Sequence, residues 1–312
     1  MMMLSLADSL HQQSGIETPE ELRLKQRVAE QGLTSSVIAD FRGLVYGFYR
    51  QYKRDLPWRL GQDPYRVLVS EVMLQQTQVE RVIPKFLAFM ELFPTVDALA
   101  VASLASLLSA WQGLGYNRRA LHVQKAACQI LDNWQGAIPN DPQLLQKLPG
   151  IGPYTAGAIC AFAYNRPEIF LETNIRAVLL HFFFPGCQQV SDRELLPVAA
   201  VLLDHEAPRD WYNALMDYGS DLKRRFPNPS RRSKHHAVQS RFAGSDRQIR
   251  GAILRCLLNG EGQGQTLRSL SQHLDCDRER LKHILAILGE EGLLQQRGGR
   301  FLIPVQAMED RR

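Results

Sequence analysis

Three groups of residues in this 312-residue chain have types and spacing suited to chemistry. Glu71 sits among Val67, Leu68, Val72 and Leu74, in a stretch otherwise fit for a core. A lone carboxylate there is unfavourable unless neutral or paired. Either it is salt-bridged or at the surface, or it lines an apolar site, where its pKa rises and it can carry a proton at neutral pH. In Phe170-Leu171-Glu172-Thr173-Asn174-Ile175-Arg176 an apolar run stops at Glu172 and a helix opens. That acid is either a simple helix cap worth ~1 kcal/mol or a carboxylate aimed at a cleft. In Leu148–Ile159, Gly150 and Gly152 flank Ile151, and Pro153 stands in the first turn of a helix. Such a turn exposes backbone N–H groups at a helix N-terminus, which can hold a phosphate without any basic side chain or sequence preference. Its plainer alternative is a tight turn that binds nothing.

The elements that must position these residues are nearly all helical. Val79, Val82, Ile83, Phe86, Leu87 and Met90 form an i, i+3, i+4, i+7 stripe. Further helices are expected at 97–111, ended by Gly113-Leu114-Gly115, and at 117–134, 153–164, 174–184, 192–204 and 210–223. The stretch 226–245 is rich in Pro, Ser, Arg and Gly without apolar periodicity and reads as a linker. Beyond it, helices near 249–257, 266–274 and 278–288 precede two short strands around Gly298-Gly299, the pattern of a winged-helix module. The expected division is a tail at 1–34, a large helical domain at 35–225, a basic linker at 226–245 and the winged helix at 246–306.

Hydrophobic residues make up 45% of the chain, enough for a sizeable core. No apolar run reaches the ~18 residues of a membrane span, and the start lacks signal-peptide character, so a cytoplasmic protein is expected. Cys128, Cys160, Cys187, Cys256 and Cys276 are scattered and form no CxxC pair, which reads as buried free thiols. The net charge of +5 and pI near 9.0 mildly favour a polyanionic partner. Cations concentrate between Lys223 and Lys234, without an acid, and again at Arg118 and Arg119.

Together these features resemble the helix-hairpin-helix DNA glycosylase superfamily, and within it the adenine DNA glycosylases of MutY type. The likeness covers residues 37–222. It is close in Leu56–Arg59, Pro64–Val79, Phe93–Val96, Trp111–Ala120 and the hairpin, and Ser70–Val79 is specific to the adenine branch. The fold implied is all-α: a two-lobed helix-hairpin-helix core followed by the small winged-helix module. The implied partner is duplex DNA carrying a mispaired or damaged base, for a monomeric, nucleoid-associated protein. The target base would be flipped into a pocket, with Gln76 and Tyr116 filling the gap in the stack. Glu71 would protonate adenine, and the second carboxylate, at Glu172, would stabilise the oxocarbenium-like state. Tyr154 and Asn174 complete the implied catalytic set. Arg59, Gln75, Thr77, Arg118, Pro149, Gly150, Ile151, Gly152 and Thr155 are implied on DNA, with a monovalent cation at the hairpin as an option.

The sequence also departs from the family. Bifunctional relatives place a Schiff-base lysine where Tyr154 stands, so the resemblance implies a monofunctional enzyme. The second carboxylate is usually an aspartate followed by Gly-Asn; Glu172-Thr173-Asn174 stands here. The four positions for iron–sulfur cysteines align with Lys223, Ser230, Ser233 and Gln239, so no cluster is expected. The family's 8-oxoguanine-checking domain is replaced by the winged helix. Rival readings are a glycosylase for thymine or uracil opposite guanine, and a catalytically silent DNA-binding protein.

Overall fold

The computed structural model describes residues 15–236, 241–260 and 262–305. The chain divides into two compact units, each assembled from two separate stretches of sequence: residues up to 62 with 153–238, and 63–152 with 239 onward. Both units are helical, and a three-stranded sheet lies in the second.

The first unit holds α1 (Pro19–Gln31), α2 (Ser35–Tyr52), α9 (Pro153–Tyr164), α10 (Thr173–Phe183), α11 (Asp192–Leu202) and α12 (Pro208–Arg225). Helix α12 packs on α2, α9 and α10. Its apolar side feeds an aromatic core in which Phe41 meets Phe182 and Trp211 edge-on, at 5.5 and 5.9 Å. Helix α1 falls within the stretch expected as a loose tail or an isolated helix, and it is a helix docked on the unit. Thr18 and Glu21 form a capping box at its start. Glu21 is 1% exposed and accepts hydrogen bonds from Tyr218 (2.5 Å) and from Arg225 (2.6 and 3.1 Å), which also pairs with Asp221 at 2.7 Å. Burial opposes ionisation of Glu21, and Arg225 and Tyr218 together still hold its carboxyl below the usual range. The polar composition of this stretch hid a buried ion pair. Residues 1–14 of the expected tail lie outside the described residues.

The expected linker is likewise ordered over its first half. Pro229–Arg232 form a 3-10 turn with Pro229 and Ser230 buried. Val190 bridges to Ser233 in parallel, and Arg232 donates to the carbonyls of Leu180 and Phe184 at the end of α10. Cations suit the carbonyl-rich C-terminus of a helix, so this segment is fixed by charge rather than by apolar periodicity. Residues 237–240 lie outside the described residues.

The second unit contains α3 (Pro64–Leu74), α4 (Val79–Leu92), α5 (Val96–Ala100), α6 (Leu104–Trp111), α7 (Arg118–Trp134) and α8 (Pro142–Leu145). From the stripe on α4, Val82, Phe86 and Met90 are buried, while Leu87 is exposed. The helix expected over 97–111 is two helices, because the Ser103 side chain accepts from the Ser106 N–H and starts a new one.

The remainder of this unit is the winged helix: α13 (Asp246–Asn259), β1 (Gln265–Thr266), α14 (Leu267–Leu274), α15 (Arg278–Glu290), β2 (Gln295–Arg297) and β3 (Arg300–Leu302). Its core is Ile253, Leu257, Leu270, Leu281, Ile284 and Leu288. The antiparallel sheet runs β1-β3-β2, and Gly298 and Gly299, both at positive φ, make the two-residue turn of the wing. Strand β1 escaped sequence reading because it is two residues long and Thr266 also caps α14. Of the cysteines, all free, only Cys160 is buried and Cys187 is exposed, so buried thiols hold for one of five. No helix among the described residues is long and apolar enough to cross a membrane.

The docking of α1 predicts that Arg225→Met, which strands buried Glu21 without its cation and leaves Asp221 only Arg224, destabilises the fold by ~3–5 kcal/mol. Urea denaturation checks this; a loss under about 1 kcal/mol would make α1 the loose element its composition suggests.

Candidate active site

In the second unit the organising side chain is Arg119, the second residue of α7 and one that the sequence placed only within a basic set. It is 8% exposed. Its guanidinium donates to the carbonyls of Val72 (2.8 Å), Met73 (2.9 Å) and Gln75 (2.6 Å) at the end of α3. It also donates to Thr77 Oγ1 (3.0 Å) and to the carbonyls of Leu114 (3.3 Å) and Gly115 (3.2 Å). Its Nε is buried without a hydrogen-bond partner, and the group lies over the rings of Trp111 and Tyr116, at 5.6 and 5.5 Å. Burial pulls Arg119 down to about 10, so it remains charged at neutral pH. The signal for a buried role was available: Arg119 shares the helical face of Val123 and Ala126.

Two loops are tied together by this one group. Glu71, 5% exposed, stands on α3 immediately before the two carbonyls that Arg119 engages. Gln75, Gln76 and Thr77 follow, and Tyr116 lies on the other loop. Gln76 and Tyr116 both adopt left-handed backbone, at φ 56° and 48°. Non-glycine residues in that region carry a strain of ~1–3 kcal/mol and persist only where neighbours hold them. Arg118 is exposed beside Tyr116.

The hairpin loop closes the same stretch of chain. Ile151 is buried and its N–H bonds the Leu148 carbonyl at 3.2 Å, while Pro149 is half-buried and Gly150 and Gly152 are exposed. Gly150 has φ 78°, and a Cβ there would stand 2.9 Å from His122. A Cβ at Gly152 would meet nothing within 4 Å. Glycine is therefore required at 150 by conformation and space, and at 152 only if something must approach the backbone closely. Gln75 Nε2 reaches the Gly150 carbonyl at 3.4 Å.

The first unit holds the other carboxylate. Glu172 is the N-cap of α10, and its Oε1 accepts from the N–H groups of Asn174 (2.5 Å) and Ile175 (2.9 Å). Asn174 Nδ2 donates to Oε2 at 3.3 Å, while Asn174 Oδ1 is buried with no hydrogen-bond partner among the described residues. Burial pushes the Glu172 carboxyl up, against the opposing influence of Lys223, the two backbone N–H groups and Arg176. The capping reading of Glu172 is the one this geometry shows. Gly219 on α12 permits this arrangement: a Cβ there would lie 2.3 Å from the Asn174 carbonyl oxygen. Tyr154, half-buried near the start of α9, meets Phe170 edge-on at 5.6 Å, and Thr155 is buried.

Arg59, expected on DNA, is committed inside this unit. Its two terminal nitrogens hold Asp217 at 2.8 Å each, and Arg54 joins them at 2.6 Å. The positions expected to lack cluster ligands include Lys223 beside Glu172, Ser230 bonded to Asn228 Oδ1 (2.8 Å) and Ser233 accepting from the His235 N–H (3.2 Å); Gln239 lies outside the described residues. An ammonium and two engaged hydroxyls do not fit an iron–sulfur cluster, which needs thiolates. Among the described residues no group of three or more His, Cys, Asp or Glu could hold a metal ion.

A family model described as HhH-GPD superfamily base excision DNA repair protein matches residues 69–195. The chain is 37% identical over 231 residues to adenine DNA glycosylase of Mycolicibacterium smegmatis, covering 68% of this chain and 78% of that protein. It is 31% identical over 286 residues to adenine DNA glycosylase of Mycobacterium tuberculosis H37Rv, covering 83% and 92%. With human adenine DNA glycosylase it shares 37% identity over 218 residues, 65% of this chain but only 40% of the human protein. In fold it is similar to a thermostable thymine-DNA glycosylase (TM-score 0.54, 22% identity, 59% of this chain and 86% of that one). It is similar also to endonuclease III trapped covalently on DNA (TM-score 0.51, 22% identity, 59% and 85%).

Two predictions follow from this geometry. Arg119→Lys keeps a charge but cannot serve six acceptors, so a loss of ~2–4 kcal/mol is expected. Hydrogen exchange should then quicken at 75–77 and 114–117; unchanged protection there would remove Arg119 from its organising place. Lys223→Met removes a cation that opposes the rise of Glu172, so the Glu172 carboxyl should titrate at still higher pH by ¹³C NMR. A carboxyl raised on folding favours the fold below its pKa and withdraws that support as pH rises through it. The variant should therefore match the parent in acid and lose stability relative to it above the Glu172 titration.

Proposed function

The chain belongs to the HhH-GPD superfamily of base-excision DNA repair proteins, in its adenine DNA glycosylase branch, and we propose that it hydrolyses the N-glycosidic bond of adenine mispaired with guanine or 8-oxoguanine in duplex DNA. The observation that carries the reading is the presentation of Gln76 and Tyr116. A buried guanidinium binds both loops and keeps each residue in a strained, left-handed conformation beside the helix of Glu71. Strain of this kind is retained where function needs it, and an amide and an aromatic ring suit the gap left by an extruded base.

In this reading the hairpin backbone at Gly150–Gly152 takes a phosphate of the DNA. Glu71 delivers a proton to the adenine ring, which makes the base a competent leaving group. The C1′–N9 bond then breaks with its electron pair going to the base, and positive charge grows on the sugar. Glu172, ionised, stabilises that charge, as carboxylates do in glycoside hydrolysis. Asn174 Oδ1, a buried acceptor without a partner, suits the water whose oxygen attacks C1′. That water's proton is released to solvent as the C1′–OH bond forms. Tyr154 has no amine for a Schiff base, which supports a monofunctional enzyme that leaves an abasic site. No step uses an iron–sulfur cluster, in keeping with the side chains at 223, 230 and 233.

The test is single-turnover excision from duplexes carrying A·8-oxoG, A·G, A·C, T·G and U·G, each with and without alkali, with Glu71→Gln as control. Alkali-dependent cleavage at adenine alone, reduced by ~100-fold or more in the variant, is expected. Cleavage of T·G or U·G instead would reassign the base; tight binding of every duplex without cleavage would make this a DNA-binding protein.

A further inference from the structure

The contacts of the winged helix within the second unit are specific. Arg247, in the first turn of α13, donates from Nη1 to Tyr116 Oη at 2.8 Å, and its guanidinium lies 5.6 Å from the Tyr116 ring centroid. With Arg119 at 5.5 Å, the ring is flanked by two guanidinium groups at cation–π range. Helix α13 packs against α6, the helix that leads into the Tyr116 loop. We propose that Arg247 is a positioning residue for Tyr116, making the winged helix part of the machinery that inserts into the duplex rather than a separate DNA reader. The inference rests on the reading of Tyr116 as the inserting residue.

The anchoring of Arg247 supports it. The stem of Arg247 is fixed: Ser245 caps α13, and Arg280 of α15 pairs with the adjacent Asp246 at 2.6 Å and bonds the Gly244 carbonyl at 2.8 Å. A side chain anchored this way loses less freedom when it holds a partner. The module thus meets the Tyr116 loop of its own unit through Arg247. Arg119 fixes the main chain of the Tyr116 loop, and Arg247 fixes the side chain.

The experiment places 3-fluorotyrosine at position 116 and compares the parent with Arg247→Ala, Arg247→Lys and, as a control on the wing, Arg297→Ala. Melting temperature and far-UV circular dichroism verify folding, and Arg247→Lys serves where the alanine variant is unstable. The ¹⁹F resonance should move with either Arg247 substitution and stay put with Arg297→Ala. Single-turnover excision of A·8-oxoG at saturating enzyme should fall about tenfold in Arg247→Ala, with no further loss once Tyr116→Ala is present, as coupled residues require. Affinity for an undamaged duplex should hold within about threefold. An unmoved resonance, or losses that add to those of Tyr116→Ala, would overturn the proposal. So would weaker binding of all duplexes with a salt slope reduced by about one, which marks a phosphate contact. A parent protein that excises nothing overturns the function and the catalytic half of this inference, while the resonance still decides the contact.

Discussion

A buried guanidinium with no carboxylate partner is the constraint on which the second unit depends. Arg119 leaves water and receives in return carbonyl oxygens from the end of α3 and from the Leu114-Gly115 turn, together with two aromatic faces. Carbonyls at a helix C-terminus carry partial negative charge and are otherwise unsatisfied, so one group answers two needs. The consequence is geometric. The position of Gln75 relative to Leu114 is no longer a matter of loop preference, and Glu71 stands on the turn of helix that Arg119 terminates. A lysine could supply the charge but not the planar fork.

In the first unit the equivalent constraint is the start of α10. Glutamate is not a preferred N-cap, yet Glu172 folds back onto two N–H groups of its own helix. The extra methylene relative to an aspartate is taken up by this capping, which leaves the carboxylate held rather than free to swing. Burial pushes the group toward its neutral form, and Lys223 opposes that. The same lysine stands at a position that the resemblance assigns to a cluster thiolate, and here it is a cation that acts on Glu172. The segment that follows is pinned by Arg232 on the α10 carbonyls and by the Val190–Ser233 bridge.

Motif residues with strong local signals were legible in the sequence. The hairpin, Glu71, Glu172 and the three-helix pattern of the C-terminal module could be placed from glycine spacing and apolar period alone. Long-range polar pairing was not legible. Arg225 looks like surface charge because nothing local says that Glu21 lies 204 residues away, and the helical face of Arg119 hinted at burial without showing acceptors 44 residues away. Arg59, placed on DNA by the resemblance, pairs with Asp217 by the same kind of long-range contact. Gly219 carries no turn signal at all, since its requirement comes from a neighbouring helix. Ser103 was readable as a cap, but the continuous apolar pattern around it argued for one helix.

These contacts have a common property: each is made inside a single compact unit. Gln76 and Tyr116 are set by Arg119, and Glu172 and Asn174 by capping and by the close approach that Gly219 allows. Neither set requires the other in order to be formed. Preorganisation of this sort removes the ordering of loops and side chains from the events that accompany DNA binding. In the C-terminal module the same kind of support is a fixed stem for Arg247, which holds the Tyr116 ring. Where a residue must enter a base stack from a strained backbone, a second support for its side chain limits the conformations in which the strain could relax without insertion.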